Sequence, residues 1–216
     1  DSFSDIKHYF LREENTSKNL LLIFTRNPEY GKVKTRLAKD IGDQAALNIY
    51  IFLLAHTARI CAPLSTEKAV YYSEEIDKDD LWDAAIFQKK KQVGEDLGER
   101  MKNAFAEGFD AGYSKIVIIG SDLYDIETKD LEQAFEVLND NEVVIGPAED
   151  GGYYLLGMTQ LHPKLFKNKN WGTQTVLQET INELTKSNYK LLEKRNDVDL
   201  YSDIKDHPAF IPFFKA

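Results

Sequence analysis

Lys115 to Asp122 reads KIVIIGSD, a run of apolar, mostly β-branched residues that stops abruptly at Gly-Ser-Asp. A short apolar run bounded by a turn signal is the pattern of a strand buried on both faces of a parallel sheet. A second element, GPAEDGGYYLLG at Gly146 to Gly157, follows closely and repeats the combination of glycines and acids. Open α/β sheets bind ligands in the crevice beyond the carboxyl ends of their strands. Asp122 therefore stands where a carboxylate can meet a ligand, beside glycines that let that ligand approach the backbone. A hard oxygen donor in such a place suits a divalent cation carrying phosphates, which points to a nucleotide-handling transferase.

Working outward, short β-rich runs alternate with longer helical patterns, the signature of βα units around a largely parallel sheet. Strands are expected at Asn19–Thr25, Glu67–Tyr72, Ser114–Gly120, Glu142–Ile145 and Tyr153–Met158, and helices over much of Thr35–Ala62, Glu95–Ala111, Glu127–Asn139 and Thr173–Ser187. Before the first strand, Phe3, Ile6, Tyr9 and Phe10 are spaced for a helix packed outside the domain. The expected organisation is thus an N-terminal helical extension over residues 1–18 and one transferase-like domain over 19–216. The C-terminal PAFIPFFKA is apolar enough to dock on its own domain, or alternatively to form a homodimer contact.

Bulk properties narrow the partners. The 216 residues and 43% hydrophobic content suffice for a packed core. A net charge of −9 opposes nucleic acid as the main partner, because that binding needs a basic face. The single cysteine, Cys61, excludes an intrachain disulfide framework and fits a reducing, cytoplasmic setting. LLLIF at Leu20–Phe24 and IYIFLLA at Ile49–Ala55 are far shorter than the roughly 20 residues a bilayer span requires. The four histidines are scattered, and no H-E-x-x-H, Cys/His cluster or G-x-S-x-G elbow occurs, so zinc chemistry and serine hydrolysis find no support.

TRNPEYGKVKTRLA, Thr25 to Ala38, directly follows the first expected strand. Its turn and its cations, with Arg26 before Pro28 and Lys32, Lys34 and Arg36 after Gly31, can grip a diphosphate or triphosphate at a helix start. The spacing matches neither the P-loop nor the Rossmann fingerprint, which argues against ATP hydrolysis and NAD-dependent hydride transfer.

Six segments then occur in a telling order: TRNPEYGKVKTRLA, QVGEDLGERM at Gln92–Met101, IIGSDLYDI at Ile118–Ile126, GPAEDGGYYLLGM at Gly146–Met158, WGTQTVLQET at Trp171–Thr180 and NDVDLYSDI at Asn196–Ile204. In this the chain resembles a family of GT-A-fold nucleotide-diphospho-sugar transferases similar to 2-phospho-L-lactate guanylyltransferase and, more remotely, to molybdenum-cofactor guanylyltransferase. Many members of that family are labelled glycosyltransferases. The resemblance implies a GT-A fold with a mostly parallel central sheet and helices on both faces. It also implies that Gly31, Lys34 and Arg36 contact phosphates, that Asp122 is the principal ligand of Mg²⁺ or Mn²⁺, and that Asp199 approaches the same ion. Asp197 or Asp203 can stand in for Asp199. Leu123-Tyr124 and Asp199-Leu200-Tyr201 depart from the Cys-Pro and Asp-Thr-Pro elements usual in this family, which affects loop geometry rather than the metal ligands.

The remaining candidates line the expected cleft. Asp150 is placed to orient or deprotonate the acceptor, or to stabilise the turn into Gly151-Gly152; one of Tyr153 and Tyr154 should face the ligand. Gly94, Asp96 and Arg100 either line the nucleotide pocket or form a helix start. Trp171, Gly172 and Thr173 are assigned to the acceptor side, with Thr173 as a helix N-cap.

The expected activity is metal-dependent transfer of a sugar from a nucleotide diphosphate sugar to a small acceptor. The alternatives are nucleotidyl transfer from a nucleoside triphosphate and a non-catalytic nucleotide-binding module. On sequence grounds Asp122→Ala abolishes the metal-dependent part of nucleotide binding without unfolding the chain; calorimetric titration with and without Mn²⁺ checks this, and retained metal-dependent affinity contradicts it.

Overall fold

Seven strands form one sheet in the computed structural model, which describes residues 18–215. The helical extension expected before the first strand lies outside the described residues. In chain order the elements are β1 (Asn19–Thr25), α1 (Thr35–Ile41), α2 (Asp43–Cys61), β2 (Glu67–Tyr72), β3 (Gln88–Lys91), α3 (Leu97–Asp110), β4 (Lys115–Gly120), α4 (Thr128–Val137), β5 (Val143–Pro147), β6 (Tyr153–Met158), α5 (Val176–Glu183), β7 (Tyr189–Leu191) and α6 (Tyr201–Ile204). The sheet order is β3-β2-β1-β4-β6-β5-β7. Every pairing is parallel except those of β6, which runs antiparallel to both β4 and β5.

This order has a functional consequence. The chain moves from β1 outward through β2 to β3 and then returns to place β4 on the other side of β1. The loops leaving β1 and β4 therefore diverge from neighbouring strand ends, which creates the crevice where open α/β sheets bind ligands. Phe24 is in register with Gly120, and just beyond them the Thr25 and Ser121 hydroxyls lie 3.0 Å apart.

The alternation of side chains along β1 feeds two cores. Leu21 and Ile23 pack with Val117 and Ile119 of β4 under Tyr50 and Leu54 of α2 and Leu131 and Phe135 of α4. Leu20 and Leu22 pack with Ile116 and Ile118 under Met101 and Phe105 of α3 on the opposite face. Helices thus cover both faces, which is why β1 and β4 read as unbroken apolar runs.

The helical stretch expected over much of Thr35–Ala62 is divided in two by Gly42, which adopts φ 88° between α1 and α2. β3 and β7 were not anticipated: QKKK and YKL are short edge strands without an apolar pattern, formed by pairing with β2 and β5. The C-terminal segment docks on its own chain, where buried Phe210 packs against Phe52 and Tyr124 beside Leu37, Ile49 and Leu53. Among the described residues no helix is long and apolar enough to cross a membrane.

Gly157 sits mid-strand in β6 where a Cβ would come within 2.7 Å of Val144 Cγ1 and 2.8 Å of Val117 Cγ2. Gly157→Ala is expected to lower the urea midpoint by an amount equivalent to about 1–3 kcal/mol, since neither neighbour can move without disturbing a sheet partner.

Candidate functional site

Lys34 holds the centre of the site. It is the residue before α1, and it takes the left-handed conformation (φ 51°, ψ 43°) that non-glycine residues avoid. That conformation costs on the order of 1–2 kcal/mol and persists only where the surroundings impose it. Here it turns the side chain inward, 7% exposed, so that Nζ donates to Asp122 Oδ2 at 2.9 Å and to the Val198 carbonyl. Burial opposes ionisation of this ammonium, but Asp122, with Asp197 and Asp199 further off, outweighs it and holds the pKa above the usual lysine value.

Three distant segments are brought together by this contact, and each has its own support. After β1, Arg26 N donates to the Tyr50 hydroxyl at 3.0 Å and that hydroxyl donates back to Arg26 O at 2.8 Å, which fixes the exit of the cationic turn. After β5, Arg195 N donates to Pro147 O and Glu149 N to Arg195 O, so the chain carrying Asp197 and Asp199 is laid alongside the strand end. Val198 N then donates to Asp122 O at 3.3 Å.

Two adjoining cavities open at Asp122. The larger, about 650 Å³, is polar and brings together seven of the candidates named from the sequence, Arg26, Lys34, Arg36, Asp96, Arg100, Asp122 and Asp199. Thr25, Tyr50, Ser73, Gln92, Glu95 and Ser121 also line it and were not anticipated. Gln92 is recognisable only in three dimensions, where its buried amide donates to Thr25 O and Tyr71 O and ties the ends of β1 and β2. The smaller cavity, about 240 Å³, is bounded by Asp122, Asp150 and Asp197, by Gly152, Tyr153 and Tyr154, and by Trp171, Gly172 and Thr173.

Several expectations change. Lys32 is exposed and pairs with Glu29 at 3.0 Å instead of lining either cavity. Gly31, Gly94 and Gly151 also line neither cavity. Gly151, at φ 89°, lets the Gln174 carbonyl lie where a Cβ would otherwise be. Asp96 caps α3 through Glu99 N at 2.8 Å, and Arg100 Nε donates to Gly94 O at 2.9 Å, so both have the helix-start role as well as a place on the wall. Thr173 is not an N-cap: α5 begins at Val176 after Thr175, and the Thr173 hydroxyl donates to Asn170 O at 2.7 Å. Asp150 Oδ1 accepts from Gly152 N at 2.9 Å, closing the turn before β6.

The acids separate into distinct roles. Asp199 pairs with Arg36 at 2.9 Å on the polar side. Asp203 accepts from Asp199 N and Leu200 N, and so caps α6. The carboxylate facing Asp122 and Asp150 in the smaller cavity is Asp197, whose pKa is pushed up to about 6 by burial first and by those two acids next. Among the described residues no group of three or more His, Cys, Asp or Glu could hold a metal ion. Asp122 and Asp197 in the smaller cavity are hard oxygen donors of the kind a divalent cation takes.

Comparison with known proteins agrees with this architecture. The family described as "Uncharacterized protein conserved in bacteria (DUF2064)" matches residues 57–173. A candidate nucleotide-diphospho-sugar transferase from Desulfovibrio desulfuricans G20 is 30% identical over 93% of this chain and 92% of its own, with a TM-score of 0.81. A Leptospira borgpetersenii cytidylyltransferase is 15% identical over 92% of this chain and 88% of its own, with a TM-score of 0.58. Rv0371c from Mycobacterium tuberculosis, solved with manganese, is 12% identical over 87% of this chain and 96% of its own, with a TM-score of 0.53. The last two are similar in fold alone. A search of curated proteins gives no match.

Two stability tests follow from the geometry. Asp122→Ala strands the buried Lys34 ammonium, so it costs about 1–2 kcal/mol after allowance for the partial exposure of Asp122, a loss of stability short of unfolding; Asp122→Asn should cost less, and denaturant melts compare them. Asp197 has a folded pKa raised above its unfolded value, so its ionisation is unfavourable in the fold: no cost below about pH 4, a full cost above about pH 6. Asp197→Asn in chelator is therefore expected to stabilise the chain by on the order of 1 kcal/mol at pH 8 and by nothing at pH 4, read from urea melts at both pH values.

Proposed function

The chain belongs to this DUF2064 family, and from that premise we propose that it is a transferase that binds a nucleotide-activated donor in the polar cavity and transfers a sugar to an acceptor in the smaller one. One observation carries the reading: Lys34, held in a costly backbone conformation at the crevice beyond β1 and β4, joins the donor side to the carboxylates of the acceptor side. Strained backbone at a topological switch point is a mark of a functional site rather than of packing.

On the donor side, Arg26, Lys34, Arg36 and Arg100 are the cations for a diphosphate. Two of them are already paired, Lys34 with Asp122 and Arg36 with Asp199, so an arriving diphosphate exchanges one anionic partner for another instead of meeting bare charges. Asp122 and Asp197 would hold Mg²⁺ or Mn²⁺, and such an ion supplies neutralisation of charge on the departing diphosphate. The manganese in the Mycobacterium tuberculosis neighbour supports a divalent ion in this fold.

On the acceptor side, Asp150 lies at the cavity wall with its Oδ1 held by Gly152 N. Transfer proceeds by attack of an acceptor hydroxyl oxygen on the anomeric carbon. The new C–O bond forms as the bond to the diphosphate oxygen breaks; the nucleoside diphosphate leaves with the electron pair, and the hydroxyl proton passes to the Asp150 carboxylate. Loss of Asp150 charge in Asp150→Asn should lower kcat by about 10²–10⁴ and leave the donor Kd within a few-fold.

A second reading, nucleotidyl transfer, is favoured by the four cations around one cavity, which also suit a triphosphate. Products decide between the two. With radiolabelled donors, acceptor-dependent release of nucleoside diphosphate from a sugar nucleotide is the expected result. Diphosphate release from a triphosphate replaces it with the second reading, and metal-dependent binding with no turnover on any acceptor leaves a nucleotide-binding module.

A further inference from the structure

We propose that the smaller cavity selects a compact, apolar-bodied acceptor that carries no anionic group, a neutral or cationic molecule whose hydroxyl is directed at the three carboxylates; this rests on the assignment of that cavity to the acceptor.

The argument is one of composition and charge. The walls of the 240 Å³ cavity include Phe24, Leu97, Met101, Tyr153, Trp171 and Val176, and the only charged side chains among the described residues lining it are Asp122, Asp150 and Asp197. Lys34, Arg36, Arg26 and Arg100 face the other cavity, and none of them lines this one. Tyr153 adds no charge: burial raises its pKa, and its hydroxyl is directed at Met101 Sδ, 4.0 Å away. A carboxylate or phosphate on the acceptor would enter a space facing three acids, of which only Asp122 has a cation beside it, the Lys34 ammonium that reaches it from the other cavity. Even with a divalent ion held by Asp122 and Asp197, the three carboxylates would balance that ion and the Lys34 ammonium, so the wall would carry no positive excess.

Size and shape are set by Trp171. Its indole lies so close over α3 that a Cβ on Gly98 would come within 2.6 Å of Cζ2 and 2.8 Å of Nε1. The glycine thus seats the ring as a fixed flat wall, which suits a small ring or short aliphatic body and excludes an extended one. This charge order also bears on the nucleotidyl reading, since a phosphorylated acceptor is the class this wall repels.

The test uses matched probes on the whole chain: 4-hydroxyphenethyl alcohol, tyramine and 4-hydroxyphenylacetate, and the same three side groups on a cyclohexane ring. Binding is measured by ligand-observed NMR with and without Mg²⁺. The alcohol and amine are expected to bind at least about tenfold more tightly than the carboxylate, a difference of ~1.4 kcal/mol. Asp150→Asn, which keeps an acceptor for Gly152 N, should narrow that gap, and Gly98→Ala, whose Cβ would meet the Phe166 carbonyl at 2.4 Å as well as the indole, should weaken all probes together by displacing both. Equal or tighter binding of the carboxylate, a gap unchanged in Asp150→Asn, or no binding by any probe overturns the proposal. Because binding is read without turnover, failure of sugar transfer in the product assay would remove the functional reading and leave this charge order standing. A reversed charge order would do the opposite.

Discussion

Everything at the crevice depends on the ion pair between Lys34 and Asp122. It spans 88 positions in sequence, and the lysine's second bond, to the Val198 carbonyl, spans 164. A buried ammonium is tolerated only when it is paired and hydrogen-bonded, so the loops after β1 and β4 and the late acidic strap must arrive together. The left-handed backbone at Lys34 is a local cost that this convergence offsets.

The same contact would let one site serve the two ligands of the proposed transfer. Its cationic side faces a large polar cavity and its acidic side a smaller apolar one, and Asp122 belongs to both. Preorganised charge of opposite sign on either side of a reacting centre is an efficient arrangement for moving a group between ligands, because neither wall needs to reorganise during the step. The sheet supplies rigidity: Thr25–Ser121 and Gln92 tie the strand ends beneath the cavity floor.

Parts of the site were readable at different levels. Asp122, Lys34 and Arg36 follow from KIVIIGSD and the cationic turn, since a strand end and the loop after β1 are fixed by local pattern. Asp197, Asp199 and Asp203 are not separable that way: they lie within seven residues, yet one faces Asp122 and Asp150, one pairs with Arg36 and one caps α6. Lys32 and Lys34 look equivalent in sequence and point to opposite sides of the turn. Side-chain direction in an irregular loop is set by backbone angles that no periodicity records.

The sequence by itself determined the α/β class, the five central strands and the acid at the end of β4, because burial on both faces demands largely apolar runs and the end of β4 is marked by Gly-Ser-Asp. Only the tertiary structure decided the edge strands β3 and β7, the break at Gly42, and which late carboxylate meets Asp122. Those features arise from contacts between residues far apart in the chain, where the free energy lies in pairing and charge across segments and leaves no trace in local composition.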